Sequence, residues 1–131
     1  MRWSILPALA LAVLLAIPPV ATAATLSKTA MAGKTTKIDE YTGWNNDCSF
    51  LTISVDVSSP PSHGTVTSKV ARGRITNAAV GSAGRCFGRP TRVLQVYYRA
   101  RPGFRGTDTF AVDMTVRGQP TKTFTYSVSV R

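Results

Sequence analysis

An all-β fold, an antiparallel sandwich of about seven short strands, is what this sequence predicts, and three observations carry that reading. Apolar and polar residues alternate over 49–57, 110–116 and 124–130, the period of strands with one buried face. Clusters rich in glycine, proline, serine and asparagine separate the runs at roughly the 8–15-residue spacing of short strands and their turns. Beyond residue 23, no window places apolar residues at helical spacing.

The N-terminus reads as an export signal. Arg2 is a positive n-region, residues 5–17 an apolar h-region, and Ala21-Thr22-Ala23 a small-residue cleavage pattern, so residues 1–23 are expected to be removed. The apolar run falls short of the roughly 20 residues a membrane-spanning helix requires, and Pro18-Pro19 breaks it. The expected product is periplasmic or extracellular, with no transmembrane segment. Residues 24–33 are small and polar and read as a flexible lead-in. Residues 34–131 are one domain's worth of chain, enough for a modest core.

Within that domain, residues 34–41 give a first strand with Thr35, Thr36, Ile38 and Tyr41 as its β-formers. Turn chemistry at 42–47 leads to Cys48. Leu51, Ile53, Val55 and Val57 then mark a strand that Pro60-Pro61 must end, because prolines cannot serve a central ladder. A further strand begins at His63-Gly64-Thr65-Val66, and Gly73 is expected to interrupt its continuation. Residues 77–88, carrying Gly81, Gly84 and Gly88, read as a flexible loop returning Cys86 to the sheet. Residues 91–98 are near-continuous β-formers and suit a strand buried on both faces. The last two alternating runs flank Arg117-Gly118-Gln119-Pro120 and read as a hairpin.

Formal net charge is +10, and its distribution is uneven. No acidic residue lies between Asp56 and Asp108, whereas Lys69, Arg72, Arg74, Arg85, Arg89, Arg92, Arg99, Arg101 and Arg105 all do. Such a field attracts anionic surfaces over about a Debye length. Cys48 and Cys86 are the sole cysteines, and in an exported chain an even pair reads as a disulfide. Closing that long loop would stabilise the fold by roughly 4 kcal/mol in the chain-entropy account. With His63 the single histidine, the pair cannot complete a four-ligand zinc site.

Two motifs carry a family resemblance. Pro61-Ser62-His63-Gly64-Thr65-Val66, followed by Tyr98-Arg99-Ala100-Arg101-Pro102-Gly103-Phe104-Arg105-Gly106-Thr107-Asp108-Thr109-Phe110 and a closing Val128-Ser129-Val130, resembles the bacterial cadherin-like/Ig-like repeat domains. The resemblance spans about residues 55–130 and departs at Ala100, where the family favours proline, and at Val112, often aromatic there. It implies an immunoglobulin-like sandwich, here a small single-domain exported form with one disulfide. It also implies structural roles for Pro61, Gly64, Gly103, Phe104, Gly106, Asp108 and Phe110. Such domains present surfaces, as spacers or adhesive modules, and the fold does not carry a function by itself.

Catalytic chemistry is not written here. His63 sits in a Pro-Pro-Ser-His-Gly turn without a recognisable nucleophile and orienting acid, and adjacent Asp39 and Glu40 would point to opposite faces of a strand. No D-x-D cluster offers the converging carboxylates calcium requires, so no metal and no cofactor is expected. The functional candidates are Arg85, Arg89, Arg92, Arg99, Arg101 and Arg105, since guanidinium binds phosphate and carboxylate in bidentate fashion. The expectation is a non-catalytic envelope module engaging an anionic polysaccharide, a lipopolysaccharide or an acidic protein. Nucleic acid fits the charge but not the compartment. The alternatives are a structural or protein-adhesive domain with incidental charge, and a small secreted enzyme inhibitor that inserts a loop.

Overall fold

The computed structural model describes residues 16–17, 24–76 and 83–131. Nearly all of the expected signal segment at 1–23, and the part of the loop at 77–82, lie outside the described residues. Seven strands form: β1 (Thr25–Ala30), β2 (Thr36–Tyr41), β3 (Ile53–Ser59), β4 (Gly64–Arg74), β5 (Pro90–Ala100), β6 (Gly106–Val116) and β7 (Lys122–Val130), with one helical turn, α1 (Ala83–Cys86), before β5. They build a four-stranded sheet in the order β1-β7-β6-β3 and a three-stranded sheet in the order β2-β5-β4. The protein is an all-β sandwich.

Alternation builds the interior. Phe110 and Val112 of β6 and Tyr126, Val128 and Val130 of β7 face Leu94, Val96, Tyr98 and Ala100 of β5, with Ile38, Tyr41, Ile53 and Ala30 closing the core. Phe110 lies between two tyrosines, its ring centroid 6.1 Å from Tyr98 and 5.1 Å from Tyr126. The Tyr126 hydroxyl donates to Asp39 at 2.7 Å and shares a hydrogen bond with the Tyr41 hydroxyl. Burial, then its partners, raises the Tyr126 phenol above the ordinary tyrosine range, so the core's polar tips stay neutral and satisfied. β5 is the central strand of its sheet, but the expected burial on both faces holds only at Val93 and Leu94. From Leu94 onward, Leu94, Val96, Tyr98 and Ala100 are buried in alternation with partly buried Gln95 and Tyr97 and exposed Arg99, because one face alone packs on the other sheet.

Two further local readings are corrected. Residues 25–30 are not a loose lead-in. They form β1, paired in parallel with β7 from Thr25↔Thr125 to Ala30↔Val130, the one parallel pairing among the described strands. As an edge strand it is held by main-chain bonds, and only Ala30 among its side chains is buried, so it carries no alternation to read. Gly73 does not interrupt β4, which runs in unbroken register with β5 from Gly64↔Ala100 to Arg74↔Pro90. A Cβ at 73 would stand 2.6 Å from Val93 Cγ1, so the glycine there permits close packing within a strand rather than a break.

Register also sorts the connections between two poles. Gly64 opposes Ala100, Thr36 opposes Tyr98, and Gly106 opposes Val130. The turns at 31–35, 60–63 and 101–105 therefore share one end with the C-terminus, here called the turn pole. The connections at 42–52, 75–89 and 117–121 lie at the other. Cys48 and Cys86 are joined in a disulfide, Cα–Cα 5.2 Å, which ties two of these connections and defines the disulfide pole. Cys86, Ile75 and Val93 are buried there, outside the main core.

Candidate functional site

The turn pole is organised by one carboxylate. Asp108, near the start of β6, is 2% exposed. It accepts the backbone N–H groups of Ser62, His63 and Thr109, each at 3.0 Å, and the Tyr98 hydroxyl at 2.8 Å. Burial alone pushes this carboxyl up. The Tyr98 hydroxyl and the three amides outweigh it and hold Asp108 below the usual carboxylate range. The same contact, with burial as the larger cause, raises the Tyr98 phenol. One ionised side chain thus fastens the β3–β4 turn to β5 and β6.

The neighbouring turn is braced in turn. Arg101 N–H donates to the His63 carbonyl at 2.8 Å, and Phe104 N–H to the Arg101 carbonyl at 3.2 Å. Phe104 stacks on the His63 ring, centroids 4.2 Å apart and planes 8° from parallel. Gly103 and Gly106 hold φ of 82° and 128°, angles that side chains bearing a Cβ avoid, so the turn can be this tight. His63 Nδ1 lies 3.6 Å from Asp108 Oδ1 and is buried without a hydrogen-bond partner.

Between the two turns opens a cleft of about 400 Å³, lined by Ser62, His63, Gly64, Thr65, Arg99, Ala100, Arg101 and Pro102. Gly64 shapes its floor. A Cβ there would stand 2.5 Å from the Arg99 carbonyl and 2.8 Å from the Tyr98 ring. Gly64→Ala is expected to lower stability by about 2 kcal/mol, the usual cost of overpacking a fixed site. Urea denaturation checks this, and an unchanged midpoint would show that the β4–β5 pair can spread without loss.

The six candidate arginines do not form one patch. Arg99, Arg101 and Arg105 are exposed at the turn pole, whereas Arg85, Arg89 and Arg92 are exposed at the disulfide pole. Arg92 and Arg99 stand seven residues apart on β5, roughly 23 Å along an extended strand, and on opposite faces because their spacing is odd. Among the described residues, the ion pairs between Lys or Arg and a carboxylate are Lys28–Asp39 and Lys37–Glu40. Neither involves an arginine. The structural residues inferred from the motif cluster as a unit: Gly64, Phe104 and Asp108 meet around His63, with Phe110 in the core beneath and Pro61 in the same turn.

What local reading did not supply is the partnership of His63 with Asp108, 45 residues apart. The two residues were legible separately, as a turn histidine and a turn acid. As for chemistry, no hydrogen bond joins the Ser62 hydroxyl to His63 among the described residues, and none of those residues form a His/Cys/Asp/Glu cluster able to hold a metal. The arrangement can bind. Preformed turns, an open cleft and unpaired guanidinium groups suit an anionic ligand surface.

No family model matches the chain, and no curated protein does. Among solved structures, amebosin is similar at 17% identity, with 80% of this chain and 88% of that one covered and a TM-score of 0.43. The cysteine protease inhibitor EhICP2 from Entamoeba histolytica is similar at 17% identity, covering 82% of this chain and 87% of that one, with a TM-score of 0.40. Likeness of this extent transfers neither a partner nor an activity.

Proposed function

We propose that this protein is an exported, non-catalytic binding domain of the cadherin-like/Ig-like kind that docks through its turn pole onto an anionic partner. The observation that carries this reading is the single buried carboxylate, Asp108, which locks the turns at 60–63 and 101–105 together. Arg99, Arg101 and Arg105 are thereby presented on a frame fixed before any partner arrives, which lowers the ordering cost of association. The disulfide fits an oxidising compartment. With no arginine ion-paired within the described chain, the guanidinium groups are available to phosphate or carboxylate groups outside it.

The test is a salt titration of binding to isolated envelope fractions, comparing the parent with Arg99→Glu/Arg101→Glu/Arg105→Glu. Saturable binding should weaken steeply with salt, and the triple reversal should lose at least about tenfold in affinity. Binding that ignores both salt and the reversals would sink the reading.

A second reading rests on the shape of the same turn. Residues 101–103 are exposed while Phe104 anchors the turn from beneath, the form of a segment that enters a partner's cleft with little loss of conformational freedom. Under that reading the domain is a small enzyme inhibitor. A panel of hydrolases, a cysteine protease among them, distinguishes the two: tight, salt-insensitive inhibition lost on replacing Pro102 and Phe104 would establish it, and no inhibition would leave the envelope-binding reading alone.

A further inference from the structure

The opposite end of the molecule carries its own surface. Phe87 is 59% exposed, the sole aromatic residue among the exposed large hydrophobic side chains of the described chain. It is not exposed for lack of order. Its neighbour Cys86 is buried and disulfide-bonded to Cys48. Gly88 N–H donates to the Ile75 carbonyl at 2.7 Å, Ile75 N–H to the Arg89 carbonyl at 3.0 Å, and Arg89 N–H to the Cys86 carbonyl at 3.1 Å. Arg74 Nη1 donates to the Gly88 carbonyl at 2.9 Å. A turn fastened at this many points holds its phenyl ring out into solvent.

Basic groups flank it in its own turn, and others stand on the strands that lead into this pole. Arg85 and Arg89 flank Phe87 in the same turn, both exposed. At the adjoining ends of β4 and β5, Arg72 and Arg92 are direct cross-strand partners, and Arg74 opposes Pro90. Like charges placed directly opposite one another destabilise a sheet, and here no carboxylate relieves them. Asp47 is the one acid in the connections of this pole; its carboxyl is engaged by the Ser49 amide and hydroxyl. The inner-facing side of the sheet at this end, where Val70 is 56% exposed, is therefore edged by arginine instead of being covered.

We infer that the disulfide pole is a docking surface for an anionic lipid bilayer, with Phe87 entering the headgroup–acyl boundary and Arg85, Arg89, Arg72 and Arg92 engaging lipid phosphates. A soluble polyanion would use the arginines and leave the phenyl ring bare. A bilayer interface takes both at once, the ring in the apolar boundary and the guanidinium groups among the phosphates. Each basic group near such a surface raises affinity by about fivefold. The site is separate from the turn pole, so the molecule would hold a membrane at one end and face a partner with the other.

Flotation of the purified, oxidised protein with vesicles tests this. Phosphatidylcholine vesicles are compared with vesicles holding about 30 mol% phosphatidylglycerol, the anionic lipid to which basic groups are drawn. The parent should float with the anionic vesicles alone. Phe87→Ala should weaken binding by about tenfold or more, the order expected for removing a buried ring from the interface, and Arg85→Glu/Arg89→Glu should weaken it further. Phe87→Trp should show a blue-shifted emission on adding the anionic vesicles, over the background of Trp44. The turn-pole reversal Arg99→Glu/Arg101→Glu/Arg105→Glu should weaken flotation less than Arg85→Glu/Arg89→Glu does, since its arginines lie at the opposite pole. Unaltered binding by Phe87→Ala overturns the inference in favour of a charge-only polyanion contact. Loss confined to the turn-pole reversal, or no flotation, overturns it as well. Because all three disulfide-pole variants alter exposed side chains, thermal melts matching the parent confirm that they report on binding.

Discussion

Asp108→Ala is expected to lower the stability of the domain by about 3 kcal/mol, a fall of more than about 10 °C in Tm for a domain of this size. The reason is what the substitution leaves behind. Three backbone amides and the Tyr98 hydroxyl lose their acceptor together, and Tyr98 is fully buried, so its hydroxyl has no route to water. Asp108→Asn, which keeps one carbonyl oxygen, should fall between. The pH dependence has a definite sign. The folded carboxyl titrates below its ordinary value, so its contribution is complete above the unfolded pKa of about 3.9. It is lost as pH falls from there through the folded pKa. The parent should therefore lose stability below about pH 4 more steeply than Asp108→Ala, whose acid limb should be flatter. Melts from pH 2.5 to 7, a window chosen to bracket the carboxylate range, decide the matter; parallel curves for the two proteins would show that Asp108 is not ionised in its latch.

The largest effect belongs to the bridge at the other pole. Cys48→Ala/Cys86→Ala, or reduction of the parent, is expected to cost about 4 kcal/mol, a large share of the 5–15 kcal/mol that holds a domain of this kind together. In urea the midpoint should drop by about 2 M. Cross-linking acts mainly on the unfolded chain, so the native turn pole should keep its cleft, and binding there should survive at temperatures where the variant is still folded. A loss below about 1 kcal/mol would mean that Ile75, Val93 and their surroundings hold the disulfide pole by packing alone.

The sequence made some of this legible and hid the rest for identifiable reasons. β6 and β7 announce themselves because Phe110, Val112, Tyr126 and Val128 all enter one core, and burial on one face leaves a period of two. β1 leaves no such trace, since its Thr, Ser and Lys side chains stay outside while main-chain bonds hold it to β7. Gly73 misleads for a different reason: glycine marks a break or a close approach, and only the position of Val93 decides between them. The arginines show the limit most plainly. Arg92 and Arg99 are near neighbours in the chain, yet an extended strand carries them to opposite poles. The Asp108 latch was half visible, as a motif acid with a structural role; that it accepts the amides of residues 62 and 63 is a fact of topology.

The parallel pairing of β1 with β7 has a consequence for timing. Thr25 meets Thr125, 100 positions along the chain, so the first strand to be made can be placed only after the last one exists. Contacts of such sequence separation form late because a long loop must close before they give any return. Until β7 is free to dock, β1 has no neighbour to pair with in the four-stranded sheet. Completion of this sheet therefore waits on β7.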